Sequence, residues 1–550
     1  MNKFTLLISL FFATVLLLFT NCANNSQDVR PVKNLIVLIP DGASPAVYSA
    51  ARWLNHFNGL GHQLHVDPFL TGTVSTFSSN APIADSAPAG SAFSAGIVSE
   101  TGNVAIHPIA TPNDIFPELI DASRANQPAA TILEAARIKR GMAVGMVVTC
   151  EFTHATPASF ASHHYSRSAN RDIAKQIAFN NLDVLFGGGT SLVSDAMREH
   201  FRNTGTTLIE NDRAALLNYT GNRVWALFGN MAMPNDIDKD RELVPSLAEM
   251  TTKAIDILSR NRNGFFLMVE GSQVDWAAHA NDPVATLTDF LAFDKAVGVA
   301  MDFAKRCGNT AVVVVSDHGT GGFSIGSARS PSYHTLSLEG IFGTLSQIRR
   351  TSNGMANILR NTEPEDFGTV FRYYTNIELN ETEINSLLAS RDFREGTHFP
   401  EHNNRNLNAN VVRIFNSHTC FGWTTGGHTG EEMLLASFHP QDHVLRGHLK
   451  STQVNTYFQQ VLGLRTSLTD LTDQIFVLYS DVFGGMDVAI DRANPQIPTL
   501  TIRNGQNTMT LTAFSSVGVL NGNSFDVGSV VVYIGRSGEF YLPKKLREKL

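Results

Sequence analysis

The chain has 550 residues, of which 43% are hydrophobic and 17% charged, with a formal net charge of -8 and a pI of about 6.1. This composition excludes an intrinsically disordered chain, because it supplies enough apolar side chains for a substantial core. The acidic balance gives no basic patch of the kind that nucleic-acid binding requires, so we expect no nucleic-acid partner. The length fits two to four average domains or one large α/β catalytic domain.

The N-terminus has the pattern of an export signal. The apolar run 4–19 follows a positive charge and has the length of a signal-peptide core, but it is short for a membrane span. Cys22 follows in the sequence LFTNC, which resembles the lipidation site of bacterial lipoproteins, although Asn21 is bulkier than the residue usual before the cysteine. We therefore predict a signal peptide at 1–21, a polar tether at 22–31, and a periplasmic or outer-membrane lipoprotein. Whether Cys22 carries lipid stays open.

Downstream of residue 32, continuous apolar runs alternate with helical patterns. Such runs are typical of parallel strands that are buried on both faces, and intervening helices predict a three-layer α/β/α sandwich with a large, mostly parallel central sheet. The runs are NLIVLIP (34–40), GMAVGMVVT (141–149), GFFLMVEG (264–271) and TAVVVVSDHG (310–319). A polar or charged cluster follows or ends each run, and ligands in such folds bind beyond the carboxyl ends of the strands. We therefore place the functional site at that edge.

Two segments depart from this pattern. The stretch 323–422 is polar and rich in Asn and Arg, with one clear helical piece near Glu381–Ser390, and we interpret it as an insertion on the rim of the site. From 491 to 550, short β-like runs with Gly and Asn turns predict a small β-rich appendage. The catalytic domain is accordingly assigned to 32–490.

The remaining cysteines form no recognisable framework. Cys150, Cys307 and Cys420 are widely spaced and include no CxxC pair. We expect buried free thiols or at most one disulfide, so a metal site must use carboxylates and imidazoles.

Acidic and histidine residues recur at the predicted strand ends. Asp275 and His279 are four residues apart, so on a helix they share one face, as two ligands of one metal would. Asp317 and His318 are adjacent at a strand end, and His428 lies in a glycine-flanked loop that can approach a crowded site. One Asp–His pair alone is more often a surface pair, but joint placement at strand ends favours a metal centre.

Ser86 precedes a run of small residues in IADSAPAGSAFSAG, which predicts a helix packed closely on the sheet. A serine at a helix N-terminus is usually only a cap. Here the helix amides and dipole would also attract a phosphate, and a neighbouring metal would lower the hydroxyl pKa and make Ser86 a nucleophile.

Six motifs, in order, resemble those of the alkaline phosphatase family between about residues 32 and 483. They are the PDG of IPDGAS, DSA, EFTHATPASFASHHYSR, VEGSQVDWAAHA, SDHG and GGHTGE. No single motif is specific, but six in register make coincidence negligible. The resemblance implies hydrolysis of phosphate monoesters through a covalent phosphoserine, two zinc ions and one magnesium ion per site, and a homodimer.

The resemblance also assigns a role to each matching position. It implies that Ser86 is the nucleophile and that Arg167 binds the phosphate. The metal ligands that it implies are Asp275, His279 and His428 for the first zinc, Asp41, Ser86, Asp317 and His318 for the second zinc, and Asp41, Thr156 and Glu270 for magnesium.

Two positions vary among members of this family. His154 and Trp276 stand where other members carry Asp and Lys. We expect His154 to tune the magnesium site without ligating the ion. Loss of the lysine predicts weaker product binding and faster phosphate release. The insertion before His428 bears on substrate access and on dimer geometry.

Two alternatives remain. A phosphodiesterase or sulfatase of the same superfamily would share the fold, but Ser86 lacks the CxPxR-type context of sulfatases, and diesterases usually lack an arginine such as Arg167. A surface lipoprotein that only binds phosphate is disfavoured, because every ligand position is retained. The sequence names no physiological substrate, since the family's pocket recognises the phosphate more than the leaving group.

Overall fold

The computed structural model describes residues 29–391, 406–494 and 496–550. The predicted signal peptide, Cys22 and most of the predicted tether lie outside these ranges. None of the helices within them combines the length and apolar character that a membrane span needs.

The strands alternate with helices through most of the chain. In chain order the strands are β1 (Asn34–Ile39), β2 (Leu70–Ser75), β3 (Ala143–Glu151), β4 (Val184–Gly188), β5 (Thr207–Glu210), β6 (Val224–Leu227), β7 (Phe265–Glu270), β8 (Thr310–Val315), β9 (Gly319–Thr320), β10 (Ser324–Ile325), β11 (Phe421–Gly422), β12 (His428–Thr429), β13 (Met433–Phe438), β14 (Gly447–Lys450), β15 (Val477–Leu478), β16 (Asp487–Asp491), β17 (Thr499–Asn504), β18 (Asn507–Thr512), β19 (Val517–Leu520), β20 (Asn523–Asp526), β21 (Val532–Ile534) and β22 (Glu539–Leu542).

The helices of the described ranges connect these strands or stand in the insertion. They are α1 (Pro45–Phe57), α2 (Ser86–Ala95), α3 (Ile132–Arg140), α4 (Ala155–Ala161), α5 (Asn170–Phe179), α6 (Asp195–Thr204), α7 (Arg213–Asn218), α8 (Leu247–Leu258), α9 (Gln273–His279), α10 (Pro283–Cys307), α11 (Leu338–Gln347), α12 (Ser352–Arg360), α13 (Phe367–Thr375), α14 (Glu381–Ser390), α15 (Leu407–Ser417), α16 (Ser451–Val461), α17 (Leu468–Ile475) and α18 (Tyr479–Val482).

Ten of these strands form the central sheet, in the order β14–β2–β13–β8–β1–β7–β3–β4–β6–β5. Among the ten, β13 runs antiparallel to both of its neighbours, and all other adjacent pairs are parallel. The prediction of a large, mostly parallel sheet is confirmed.

Helices cover both faces of this sheet, and strand β1 shows why its sequence is continuously apolar. Ile36 and Leu38 join one apolar cluster with α1, α8 and α10, whereas Leu35 and Val37 join a second cluster with α2, α3, α5 and α16. Because each face meets a helical layer, no position on the strand faces water. The predicted three-layer sandwich is therefore confirmed.

The predicted rim insertion is more regular than its sequence indicated. Among its described residues it contains five helices, α11 to α15, whereas we expected one, at the position of α14. Its apolar residues recur four apart, as at Met355 and Leu359 or Phe367 and Phe371, and these side chains join the core on the α1 face. This periodicity was not recognised in the sequence because Asn and Arg residues surround the apolar positions.

The C-terminal appendage begins earlier than the predicted residue 491. Strand β16 pairs with β17 in a five-stranded antiparallel sheet, and β15, which begins at Val477, belongs to a second small sheet with β22 and β21. The appendage has its own apolar core. It also contacts the part of the chain built on the central sheet, because Arg536 Nη1 bonds to Glu100 Oε1 at 2.7 Å and Lys175 Nζ donates to the carbonyl of Ala513 at 2.9 Å.

The cysteines that the structure describes are all free, so the expectation of free thiols is confirmed. Cys150 is buried, but Cys307 is exposed and Cys420 is partly exposed. Burial was therefore the wrong expectation for the latter two.

Candidate active site and metal centre

Parallel strands carry the acidic residues of the site to one edge of the sheet. Asp41 follows β1, Glu270 ends β7 and Asp317 follows β8, and these three strands are neighbours in the order β8–β1–β7. All three carboxylates are fully buried. Such a concentration of buried carboxylates is costly unless cations balance it.

Asp275, His279 and His428 form the first of three side-chain groups at this edge. Helix α9 carries Asp275 and His279 on one face, as their spacing predicted, and their Oδ2 and Nε2 atoms are 3.4 Å apart. The Nε2 atoms of His279 and His428 are 3.1 Å apart, and His428 Nε2 lies 3.8 Å from Asp275 Oδ1. Ligands at zinc distances of about 2.0–2.1 Å have separations of this size, so the group fits one zinc ion.

Backbone carbonyls orient both histidines of this group. His279 Nδ1 lies 2.6 Å from the carbonyl of Gly426, and His428 Nδ1 lies 2.7 Å from that of Ala84. Each contact favours the proton on Nδ1, so that Nε2 is the nitrogen whose lone pair can ligate a metal ion.

Charge sets the pKa values within this first group. Burial alone would raise the pKa of Asp275, but the imidazoles of His279, His428 and His318 hold it well below its usual range. Burial alone would lower the pKa of His279, but Asp275 raises it to about 9.

The second group joins the serine to two carboxylates and an imidazole. His318 Nε2 lies 3.0 Å from Ser86 Oγ, 3.3 Å from Asp317 Oδ2 and 3.5 Å from Asp41 Oδ1. The His318 ring stacks on that of His428 with centroids 3.6 Å apart, so the first and second groups adjoin. Burial lowers the pKa of His318 to about 4, which keeps its imidazole neutral at pH 7.

The third group surrounds Glu270. Ligand atoms of Cys150, His154 and Glu270 lie within 4.8 Å of one another, and His154 Nδ1 is 3.9 Å from Asp41 Oδ2. The Cys150 thiol donates to Glu270 Oε2 at 3.7 Å. Thr156, in helix α4, is fully buried.

Several buried oxygens in these groups have no hydrogen-bond partner, which native interiors rarely tolerate. They are both carboxylate oxygens of Asp41, Thr156 Oγ1, Glu270 Oε1 and Asp317 Oδ2. Burial and the neighbouring carboxylates raise the pKa of Asp41 well above its usual range, that of Glu270 to about 8 and that of Asp317 to about 6. Divalent cations would satisfy these atoms. The imidazoles of the first two groups suit zinc, whereas the oxygens of Asp41, Thr156 and Glu270 suit magnesium.

Ser86 is not a helix cap. It is the first residue of α2, after the cap residue Asp85, and its hydroxyl faces His318. The α2 N-terminus therefore directs both the serine and its amide groups toward the carboxylate groups.

Asp85, the residue before Ser86, and His154 hold the guanidinium of Arg167. Its Nη1 bonds to Asp85 Oδ1 and its Nη2 lies 3.1 Å from His154 Nε2. Burial alone would raise the pKa of Asp85, but Arg167 and the amide of Gly102 lower it, so Asp85 is ionised at neutral pH.

The sequence analysis assigned no role to Asp85, Cys150 or Thr320. Thr320 Oγ1 donates to Asp275 Oδ1 at 2.6 Å and so orients that carboxylate. Adjacency to Ser86 was a signal that could have identified Asp85. The positions of Cys150 and Thr320 follow from strand packing, and no sequence motif marks them.

With this geometry established, comparison with known proteins identifies the family. The family model for alkaline phosphatase matches residues 32–464. The chain belongs to the alkaline phosphatase family. Members are phosphomonoesterases, so the chain is an enzyme of that class.

Individual alkaline phosphatases resemble the chain over most of its length. Alkaline phosphatase 3 of Bacillus subtilis is 34% identical over 459 residues, covering 80% of this chain and 91% of that protein. The alkaline phosphatase of Schizosaccharomyces pombe is 29% identical and covers 83% of this chain and 86% of that protein. The crystal structure of Thermus thermophilus alkaline phosphatase has a TM-score of 0.68 at 27% identity, with 82% of this chain and 98% of that chain covered.

His154 and Trp276, at the variable positions, contact each other with ring centroids 5.4 Å apart, and burial lowers the pKa of His154 to about 3. The family match ends at residue 464, so the β-rich appendage lies beyond it.

Proposed function

We propose that the enzyme hydrolyses phosphate monoesters to an alcohol and inorganic phosphate through a covalent phosphoserine at Ser86, with two zinc ions and one magnesium ion. One observation carries the proposal: the Ser86 hydroxyl, 1% exposed as a residue, lies at a helix N-terminus and contacts His318, which lies beside buried carboxylate oxygens of Asp41 and Asp317 that have no hydrogen-bond partner, while the preceding Asp85 holds Arg167. A merely structural serine would not need this surrounding charge.

Each of the three side-chain groups described above would hold one ion. Asp275, His279 and His428 would hold one zinc, Asp41, Ser86, Asp317 and His318 the other, and Asp41, Thr156 and Glu270 the magnesium. When bound, these ions supply Lewis acidity, which lowers the pKa of a hydroxyl nucleophile and neutralises developing negative charge.

The chain's own groups bind and orient the substrate. The planar guanidinium of Arg167 suits two phosphate oxygens, and Asp85 with His154 pre-orients it. The α2 amides attract the same anion. Ser86 Oγ forms a bond to phosphorus as the ester P–O bond breaks, the serine proton passes to solvent, and the leaving oxygen takes a proton from solvent and departs as the alcohol. Water then cleaves the phosphoserine and restores the hydroxyl.

Export through segment 1–21, attachment through Cys22 and assembly as a homodimer are part of the proposal. The apolar N-terminal run and the LFTNC sequence support the first two. The family resemblance supports the third.

Hydrolysis of p-nitrophenyl phosphate at about pH 8 to 10, before and after EDTA and then with zinc and magnesium restored, tests the proposal. We expect activity that EDTA removes and both metals together restore. Bis(p-nitrophenyl) phosphate is the matched control, since a diesterase would prefer it. No turnover of the monoester by the metal-loaded protein would refute the proposal.

A further inference from the structure

The edge of the central sheet opposite the candidate active site is basic. Parallel strands begin at this edge, so the segments that precede β1, β3, β7 and β8 meet there. Together these segments carry nine lysines and arginines and no aspartate or glutamate; they are VRPVK (29–33), RIKRG (137–141), SRNRN (259–263) and KRCGN (305–309). The net charge of -8 therefore hides a local excess of positive charge. We call the surface formed by these four segments the basal face.

A cavity of about 420 Å³ lies within the basal face. All four segments contribute to its wall, which consists of basic and amide side chains and a short apolar piece: Lys33, Arg140, Arg262, Asn263 and Asn309, with Pro31 and Val32. Among the residues that the structure describes, no acidic side chain lines this cavity. Its wall is therefore polar and cationic.

Hydrogen bonds join the segments around the cavity. The amide of Lys33 donates to Asn309 Oδ1 at 2.8 Å, and Asn263 Nδ2 donates to the carbonyl of Gly141 at 3.1 Å. A Cβ at Gly264 would lie 1.8 Å from the carbonyl oxygen of Lys33, so the chain at the start of β7 packs directly against this residue. The basic side chains of the cavity therefore project from a backbone whose position is fixed.

Two of these basic side chains are available to a ligand. Lys33 and Arg262 are exposed, and no carboxylate of the described ranges forms an ion pair with either of them. Arg140 is partly engaged, because its Nη1 donates to the carbonyls of Leu462 and Gly463, but both partners are uncharged. The cavity therefore suits an anion, and a phosphate group matches guanidinium and ammonium donors in charge.

The N-terminal segment joins the fold at this same face. Pro31 lines the cavity, and Cys22, the predicted lipidation site, precedes it by nine residues. Nine residues span at most about 30 Å, so a lipid on Cys22 would keep the cavity within that distance of a bilayer. Anionic phospholipids are therefore the phosphate groups closest to the basal face in the attached protein, and they attract lysines and arginines near their surface.

We propose that the basal face binds anionic phospholipids and that Lys33 and Arg262 hold the phosphate of one headgroup in the cavity. The inference rests on the membrane attachment through Cys22 that forms part of the proposed function. The candidate active site lies beyond the opposite ends of the same strands. Binding of the basal face to a bilayer would therefore direct the active site away from the membrane and toward dissolved substrates.

The test uses the metal-loaded chain from residue 22 onward with Cys22→Ala, which cannot be lipidated, so that binding reports the folded part alone. This protein should sediment with vesicles of phosphatidylglycerol and phosphatidylcholine at low salt. It should stay in solution at high salt, which screens the charges, and with vesicles of phosphatidylcholine alone.

Variants of the same protein test the two residues. Since each basic residue near an anionic bilayer is worth about fivefold in affinity, Arg262→Ala should weaken vesicle binding about fivefold, and Lys33→Ala with Arg262→Ala about thirtyfold. Arg372→Ala is the matched control, because it removes the same charge from an exposed part of the rim insertion, where Arg372 pairs with Glu378. Its affinity for the vesicles should equal that of the parent.

Two native cysteines report the orientation. Cys307 is exposed in the basal face, whereas Cys420 is partly exposed in the rim insertion. Vesicles that contain phosphatidylglycerol should slow the alkylation of Cys307 by a maleimide and leave that of Cys420 unchanged. Equal slowing at both cysteines, or slowing at Cys420 alone, would overturn the inference.

The inference would also be overturned if the parent bound no vesicles, or if the parent, the double variant and Arg372→Ala bound them equally. Tighter binding of a DNA duplex than of the vesicles at the same salt concentration would assign the basal face to a nucleic acid instead. One equivalent of inorganic phosphate that only the double variant loses, without vesicle binding by any form, would assign the cavity to a free anion. Both results would overturn the inference.

The proposed attachment has a separate test. Mass spectrometry of the protein recovered from cell membranes would find Cys22 either lipidated or unmodified. An unmodified Cys22 would refute the attachment, whereas the vesicle experiments measure the basal face without any lipid on the protein.

Discussion

Removal of metal should make the stability of this enzyme fall steeply as pH rises above 6.5. Without cations, burial and Asp317 raise the pKa of Glu270 from 4.5 to about 8, and Asp275 raises that of His279 from 6.5 to about 9 against the effect of burial. A group whose pKa is higher in the folded than in the unfolded state stabilises the folded protein fully at pH values below its pKa in the unfolded state. That stabilisation is lost as pH rises through the folded pKa.

The size of the effect between pH 6.5 and 9 follows from these values. Each pKa unit corresponds to about 1.4 kcal/mol, so the stabilisation from Glu270 falls by about 2 kcal/mol by pH 8 and that from His279 by about 3 kcal/mol by pH 9. Their sum, on the order of 5 kcal/mol, corresponds to a fall in Tm of about 5 °C for a chain of this length. His318 and His428, whose pKa burial lowers to about 4, stay neutral throughout.

Differential scanning calorimetry of EDTA-treated and metal-loaded protein at pH 6.5, 7.5, 8.5 and 9 measures this effect. Bound cations keep their ligands deprotonated, so the Tm difference between the two forms should widen by about 5 °C across this range. The Tm difference between the two forms does not include the effect of groups that titrate in both, such as Asp289, whose pKa burial raises to about 7. Glu270→Gln should reduce the widening by about 2 °C. A constant or narrowing Tm difference would refute the reasoning.

The other predictions concern catalysis. Ser86→Ala should prevent labelling of the protein by ³²P-phosphate ester in acid quench, and full activity in that variant would refute its role as nucleophile. Arg167→Ala should raise KM and the inhibition constant for phosphate by about tenfold or more, because charge-assisted bonds are lost, and unchanged constants would count against phosphate binding. Asp85→Asn should raise KM about threefold to tenfold by loosening Arg167, while Asp121→Asn, a remote carboxylate, should leave KM unchanged.

Much of the site could be predicted because parallel strands force certain residues together. Asp41, Glu270 and Asp317 end apolar runs, so their meeting follows from strand direction alone. Asp275 and His279 needed only helical spacing. Both patterns can be read from short segments of the sequence, and the fold then brings the residues of these segments close together.

Contacts that depend on how elements pack could not be predicted in this way. Cys150 reaches Glu270 across neighbouring strands, and Thr320 orients Asp275 from a separate two-residue strand. The helices of the insertion were missed because their apolar stripes are narrow and lie among polar residues. The start of the appendage was missed because β16 joins it only through pairing with β17.

The salt bridge between Arg536 and Glu100 links the C-terminal appendage to the loop that contacts Asp85 and Arg167. Glu100 precedes Gly102 by two residues. The amide of Gly102 donates to Asp85 Oδ2 at 2.9 Å, and its carbonyl accepts from the amide of Arg167 at 2.8 Å. The appendage therefore supports the short loop that holds Asp85 and Arg167 in place. A chain shortened after residue 464, where the family match ends, would keep every proposed catalytic residue but lose this support, so we expect its affinity for phosphate to fall.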